Sequence, residues 1–383
     1  MLTITWTWWI NRGGVLYWDL EEGAEKRNRM VHILKNISIF GALNGFQSMA
    51  KHEESTKPCR PSWLQGFVTS LRPWSFSAVV TPLLVTLAIL RVRLQQELPS
   101  YLHVFGLIVA MIAVQGFANL VNSYWDHRRG CDTDDMKGGD RTFVDSLISV
   151  ELCLGTAGFL FAFWSAFFAW SIWEVGLNHE LLACAIVGSS LAYLYTGGPF
   201  PLKYNSLGDV TILACFGPVL VSYASIFLVG QSYTEVVMFS LPVSIYVVAI
   251  LQANNHRDAR SDIKAGAHTL AANLGAIFSM YYYFALILLA HLIAVGLYHF
   301  YGCVGALATL TVLPRSLWLM WRLERGSRVD RTLLITQDEE TAKTQLLFGL
   351  ALAIGVTSMP GLEASPFGFG AVTFVVTVLQ LLG

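Results

Sequence analysis

Charge is what this chain of 383 residues has least of: Asp, Glu, Lys and Arg together make up 13%, against 54% hydrophobic residues. A soluble domain carries about a quarter charged residues, so the composition excludes an ordinary water-exposed globule and implies a lipid-embedded chain. The charge that is present nearly cancels, at −1 net, and no basic block offers a footprint for nucleic acid. Cysteine is sparse too. Cys59, Cys131, Cys153, Cys184, Cys215 and Cys303 are scattered without a C-x-x-C pair, which leaves them as small apolar packing residues. The nine histidines show no paired metal-ligand spacing. The opening MLTITWTWWI lacks the basic start, long apolar stretch and small-residue cleavage site of a signal peptide.

What the chain has instead is hydrophobic runs, almost without pause. Spans are predicted at 74–90, 103–124, 153–173, 181–195, 210–229, 236–252, 277–298, 304–321 and 344–359; 367–382 is a tenth span or an interfacial tail. They approach the roughly 20 residues that cross a hydrocarbon core. They lack the alternation of barrel strands, and backbone in lipid must satisfy its own hydrogen bonds, so helices are required. The expected fold is all-α and polytopic, with a membrane domain over 66–360, a mobile tail at 1–65 and an apolar tail at 361–383. Basic residues fix its orientation. Lys51, Lys57, Arg60 and Arg72 precede the first span, and the loops after even-numbered spans hold Arg128, Arg129, Lys137, Arg141, Lys203, Arg257, Arg260, Lys264, Arg322, Arg325, Arg328 and Arg331. The opposite loops carry little beyond Arg91 and Arg93, so the first set is expected in the cytosol.

The carboxylates gather in two of those cytosolic loops. Residues 119–145 read NLVNSYWDHRRGCDTDDMKGGDRTFVD, and 254–266 read NNHRDARSDIKAG, four spans later. Each opens an N-x-x-x-D pattern at the end of an apolar run, which points to two four-helix repeats facing each other with a ninth helix appended. In the second stretch Asn254, Asp258 and Asp262 stand at i, i+4 and i+8 and form one helical stripe, drifting about 40° per step. Asn122 and Asp126 share the i, i+4 relation. Gly130 is then expected to end the helix and let Asp132 swing back from a loop. Carboxylate and amide oxygens suit Mg²⁺, which takes one or two carboxylates plus substrate phosphates. Two such clusters facing each other repel unless a cation and a diphosphate lie between them.

Other polar groups lie on the same face. Asp140, Arg141, Thr142 and Asp145 form D-R-T-x-x-D, and 195–209 read YTGGPFPLKYNSLGD. In that loop Gly197 and Gly198 allow close backbone approach to a ligand, and Lys203 can meet a phosphate as a point charge. Arg72 and Trp74, at the start of the first span, read as interfacial anchors. The aromatic run 159–173 reads as lipid-facing or packed, and His127 and His256 as bystanders to an oxygen-bound metal.

Taken together, LRPWSFSA (71–78), NLVNSYWDHRRGCD, DRTFVD, YTGG, KYNSLGD and NNHRDARSDIKAG resemble, in order, the UbiA superfamily of intramembrane aromatic prenyltransferases, and most of all its naphthoquinone branch. The resemblance covers about 68–358. It implies nine transmembrane helices around a lipid-open cavity under a cytosolic cap. It also implies an isoprenyl diphosphate held by Mg²⁺ and an aromatic hydroquinone as acceptor. By position, Asn122, Asp126 and Asp132 form one metal motif and Asn254, Asp258 and Asp262 the other. Arg141, Lys203, Asn254 and Arg257 are the diphosphate contacts, with Asp140, Gly198, Asp209 and Asn255 as further candidates. The branch implies a vitamin K2-type product, with 4-hydroxybenzoate, homogentisate or haem chemistry as alternatives, and an ER/Golgi-type membrane, with a mitochondrial or bacterial plasma membrane as the alternatives. The stretch after Asp132 is about two residues longer than the animal pattern, so Asp134 and Asp135 receive no role. A transporter or cation channel would place charges near the bilayer midplane, whereas these acids gather at one rim. A silent scaffold of the same fold has no need of both Asp motifs.

Overall fold

In the computed structural model the described residues are 63–132 and 141–358, all within one compact unit. They are almost entirely helical: α1 (Trp63–Arg93), α2 (Tyr101–Arg129), α3 (Val150–Val175), α4 (His179–Leu194), α5 (Gly208–Val229), α6 (Thr234–Lys264), α7 (Leu270–Tyr301), α8 (Val304–Arg328) and α9 (Gln337–Ser358). Seven of these are long and apolar enough to cross a membrane. The other two differ for separate reasons: α4 has 16 residues, while α9 has 22 but opens on Asp338, Glu339 and Glu340. A single isolated bridge, Asn205 to His268, is the strand-like pairing among the described residues. The tail expected to 65 lies outside them up to residue 62, and so does the apolar stretch 367–382.

The most enclosed span is α6, which runs along α7 and also touches α1, α5 and α9. Phe239, Val243 and Tyr246 on α6 are fully buried. In lipid the apolar effect does not drive helices together, so close approach through small residues and buried hydrogen bonds has to hold them. At α9 both are present. Gly305 of α8 and Gly355 of α9 pass so closely that a Cβ on Gly305 would lie 2.0 Å from the Gly355 carbonyl oxygen. Gln345 donates to Thr81 of α1, and Gly349 packs on the same threonine. The helix expected as an appendage is thus packed against α1, α6 and α8.

Three helices are interrupted where the sequence asks for it. In α1 the first turns end at Ser70, Arg72 takes a left-handed conformation (φ 54°), and Pro73 starts the next turn. A residue before proline is pushed out of the helical region, and proline then suits a first helical position. In α5 Gly217 leaves helical geometry just before Pro218, and Ser244 of α6 donates to the Phe216 carbonyl there at 3.0 Å. In α7 the break is Gly275, at φ 73°.

Candidate functional site

Both Asp stretches end their helices in the same way. Gly130 is left-handed after α2, and the Cys131 amide closes on the Asp126 carbonyl at 2.9 Å. After α6, Gly266 is left-handed and the Ala267 amide closes on the Asp262 carbonyl at 2.8 Å. The two closures fall at different places in the motif, which accounts for the spacing. Because α6 continues past Asp262, all three of its oxygen-bearing residues ride the helix four apart. Because α2 stops at Arg129, its third oxygen-bearing residue, Asp132, comes from the loop and needs a longer gap.

These ends meet. Asn122, Asp126 and Asp132 from one side and Asn254, Asn255, Asp258 and Asp262 from the other line a single small polar pocket, together with Arg72, Cys131 and Lys203. Lys203 is held by its loop, whose Leu202 and Lys203 amides bond back to the Leu194 and Tyr195 carbonyls at 2.9 and 2.8 Å. The loop also docks on the α6–α7 turn: the His268 amide donates to Tyr204, and the Ser206 hydroxyl donates to the His268 carbonyl.

Protein cations already pair with Asp126 and with Asp258. Lys203 Nζ lies 2.7 Å from Asp126 Oδ2 and 3.4 Å from Asn122 Oδ1, and Tyr204 donates its hydroxyl to Asp126 Oδ1 at 2.5 Å. Burial alone would lower the Lys203 ammonium, yet Asp126, with Tyr204, Tyr195 and Asp262 behind it, holds it well above the usual lysine range. Burial and Asp126 together push the Tyr204 phenol upward, so it stays a donor. Burial, aided by Asp126, pushes the Cys131 thiol up to about 12. Across the pocket Arg257 grips Asp258 with two bonds of 2.8 and 2.9 Å, donates to Asn254 Oδ1, and reaches Asp338 of α9 at 2.8 Å. Among the described residues Asp262 accepts one bond, from Thr269 at 3.2 Å.

Above the polar pocket is a second, mainly apolar cavity of about 220 Å³, walled by Met111, Trp164, Phe216, Leu220, Tyr223 and Val247 among others. Arg72, Asn122, Lys203 and Asn254 line both spaces. Pocket and cavity therefore adjoin, the one polar and the other apolar.

Some expected residues stand elsewhere. Arg141 forms a multiply bonded pair with Asp145, its Nη2 at 2.7 Å, and does not line the pocket. What approaches the glycine pair is protein. A Cβ on Gly197 would meet Trp125 Nε1 at 2.8 Å, and Gly198 is left-handed (φ 79°) against Leu194. Asp209 is buried in the first turn of α5, facing Tyr282 and lining neither space. Asp140 lies outside the described residues. His127 packs on Phe143 and His256 bonds Ser279 and Ser327, both away from the pocket. Of the aromatic run, Phe159 and Trp173 are exposed while Trp164 turns into the cavity. Sequence reasoning missed four participants. Arg72 and Trp74, read as anchors, line the cavity; Arg–Pro at a break was the available signal. Tyr204 adjoins Lys203 and could have been read with it. Asp338 had no local signal.

Among the described residues no three Asp, Glu, His or Cys side chains converge closely enough to hold a metal by themselves. The converging set is mixed, with carboxamide oxygens of Asn122, Asn254 and Asn255 beside the carboxylates. Asn255 Oδ1 is buried with no hydrogen-bond partner among the described residues, an acceptor that a cation or its bound water would satisfy. Carboxylate and carboxamide oxygens converging in this way fit a hard divalent cation that completes its shell from a substrate phosphate.

A family model described as the UbiA prenyltransferase family matches residues 79–334. A protein of Gallus gallus called UbiA prenyltransferase domain-containing protein 1 is 38% identical over 296 residues, 77% of this chain and 85% of its own. The Homo sapiens protein of that name is 36% identical over 312 residues, 80% and 88% of the two chains. Among solved structures, a UbiA homologue from Archaeoglobus fulgidus bound to GPP and Mg²⁺ has a TM-score of 0.53, covering 75% of this chain and 99% of that one at 14% identity. That likeness is one of fold.

Proposed function

The chain belongs to the UbiA prenyltransferase family, and from that membership we propose that it moves an isoprenyl group, geranylgeranyl by preference, from its diphosphate to a reduced naphthoquinone-type ring, giving a menaquinone-type product. One observation carries the reading: the polar pocket adjoins an apolar cavity, and Arg72, Asn122, Lys203 and Asn254 line both. A molecule with a doubly charged head and a hydrocarbon tail matches that gradient. The A. fulgidus homologue's GPP and Mg²⁺ support the same assignment here.

Asn122, Asp126, Asp132, Asn254, Asp258 and Asp262 would hold magnesium, with Asn255 beside them; when bound, it supplies Lewis-acid stabilisation of the leaving diphosphate. Lys203 and Arg72 present fixed positive charge to the same oxygens at the pocket mouth, and preorganised charge of this kind needs no rearrangement as the bond breaks. The C1–O bond cleaves with its electron pair leaving on the diphosphate. The allylic cation is kept from water by the apolar walls. A carbon of the electron-rich ring then bonds to C1, and loss of the ring proton, or of carbon dioxide from a carboxylated ring, restores aromaticity. The naphthoquinone-type acceptor rests on the D-R-T-x-x-D and Y-T-G-G segments. By the basic-residue pattern the pocket faces the cytosol, in an ER/Golgi-type membrane.

The test is a product mass spectrum. Protein in detergent is given geranylgeranyl diphosphate with competing 2-methyl-1,4-naphthohydroquinone and 4-hydroxybenzoate, in magnesium or in EDTA. Prenylated naphthohydroquinone in the magnesium sample alone is the expected result. Product in EDTA refutes the metal assignment, and prenylated 4-hydroxybenzoate as the main product refutes the acceptor.

A further inference from the structure

Gln115, Asn119, Asn122 and Asp126 stand at i, i+4, i+7 and i+11 on α2. One face of that helix therefore stays polar for about 16 Å, from the Asp pocket to two turns inside the apolar cavity. Ser75, Gln115 and Asn119 all line the cavity on its α1–α2 wall. Burying carboxamides among hydrocarbon is costly unless hydrogen bonds replace water, so their partners matter.

The bonding fixes which atom faces where. The Leu71 carbonyl can only accept, and Asn119 Nδ2 donates to it at 2.9 Å. Asn119 Nδ2 also donates to Ser75 Oγ at 2.9 Å, whose own proton goes to the Arg72 carbonyl at 2.8 Å. Asn119 must then turn Oδ1 toward Gln115, which donates Nε2 to it at 3.2 Å and more weakly to Ser75 Oγ at 3.4 Å. Flipping either amide would set acceptor against acceptor. Every donor in the chain is committed, and Gln115 Oε1 accepts no bond from any described residue. Pinning the break in α1 explains Asn119 and Ser75, which hold the Leu71 and Arg72 carbonyls. It does not explain Gln115, which bonds no backbone of α1 and adds an idle acceptor to a hydrocarbon cavity.

We propose that Gln115 is the contact for the acceptor ring, its Oε1 accepting the O–H of a phenolic hydroxyl; this rests on the prenyltransferase reading above. The ring has to lie near the mouth where C1 leaves the diphosphate, and Gln115 is about 10 Å along α2 from Asn122. The carboxamide keeps its protons and takes none. As the new carbon–carbon bond forms, positive charge spreads over the ring, the hydroxyl becomes more acidic, and its bond to Oε1 strengthens. A quinone carbonyl or an ether oxygen at that place meets lone pair with lone pair and is rejected, which makes Gln115 a specificity-determining residue.

The experiment compares wild type, Gln115→Leu and Gln115→Met in detergent, with geranylgeranyl diphosphate, magnesium and either 2-methyl-1,4-naphthohydroquinone or each of its mono-methyl ethers. Both variants are expected to raise KM for the hydroquinone about tenfold, the worth of one hydrogen bond. The diphosphate KM should stay unchanged, and the preference of wild type for the free hydroquinone over at least one ether should shrink. A merely structural role would move melting temperature and both KM values together, and that result overturns the proposal. So does a variant that keeps the hydroquinone KM and the ether discrimination. If Gln115→Leu does not fold, Gln115→Met, unbranched and of matching length, decides alone. Wild type that prenylates no ring at all removes the functional reading and this inference with it; wild type that prenylates rings while the variants discriminate normally removes this inference only.

Discussion

Arg257 and Asp338 form an ion pair of 2.8 Å across 81 residues of chain, joining the end of α6 to the first turn of α9. Side-chain exposure is 6% for the arginine and 13% for the aspartate. The same guanidinium holds Asp258 and Asn254, so α9 helps to position the second Asp motif. Asp338→Ala leaves Arg257 with Asp258 but removes one charged acceptor. Expected is a loss of about 1–3 kcal/mol in unfolding free energy, read by denaturant titration in detergent. An unchanged midpoint would mean that α9 is held without this pair.

Lys203 is expected to act through charge and position together. Lys203→Met removes the cation at the pocket mouth and leaves Asp126 buried beside it, and kcat/KM for the isoprenyl diphosphate should fall about 10²- to 10³-fold. The pH dependence follows from the raised pKa: the ammonium is charged in the folded protein and would lose its proton only above the usual lysine range. The rate profile between roughly pH 6 and 9 should therefore show no alkaline limb that Lys203→Arg abolishes. Such a limb would show the lysine to be a proton carrier instead.

Asp126 and Asp262 should separate stability from catalysis. Asp126 neutralises buried Lys203 and accepts from Tyr204, so Asp126→Ala leaves a buried cation unpaired at a cost of about 3–5 kcal/mol, along with turnover. Among the described residues Asp262 accepts a single bond, from Thr269, so Asp262→Asn should melt close to wild type while turnover drops about 10³-fold. Equal melting losses in the two variants, or full turnover in Asp262→Asn, would contradict the assignment.

The motif stripes were legible because their spacing is local. Residues four apart share a helix face whatever surrounds them, and Gly130 marked where α2 would stop. Membrane-length runs were legible for the same reason, since length and apolarity need no partner. What the sequence hid is non-local. Nothing near Asp338 announces Arg257, because an ion pair between distant helices leaves no periodic trace. Arg72 looked like an interfacial anchor, and its turn into the cavity depends on a left-handed backbone before Pro73. Gly197 and Gly198 were visible as places where something comes close, but whether that something is ligand or Trp125 depends on packing. The polarity of Gln115 was plain in the sequence; the orientation of its amide required the Leu71 carbonyl, 48 positions back in the chain from Asn119, which donates to it.

The α8–α9 contact gives the sharpest test of how the bundle is held. A Cβ on Gly305 would lie 2.0 Å from the Gly355 carbonyl oxygen and 2.3 Å from its carbon. Those atoms are backbone, so no rotamer can relieve the clash, and the helices must move apart. Loss of small-residue packing in lipid is not compensated by apolar burial, since the lipid is equally apolar. Gly305→Ala should therefore cost about 3 kcal/mol, the upper range for overpacking, and because α9 carries Asp338 it should also weaken turnover. Gly155→Ala on α3 is the control. No described residue outside its own helix turn lies within 4 Å of a Cβ there, and alanine is the better helix former by about 1 kcal/mol, so this variant should melt at or above wild type. If the two alanine variants melt alike, the close approach of α8 and α9 does not hold the bundle together.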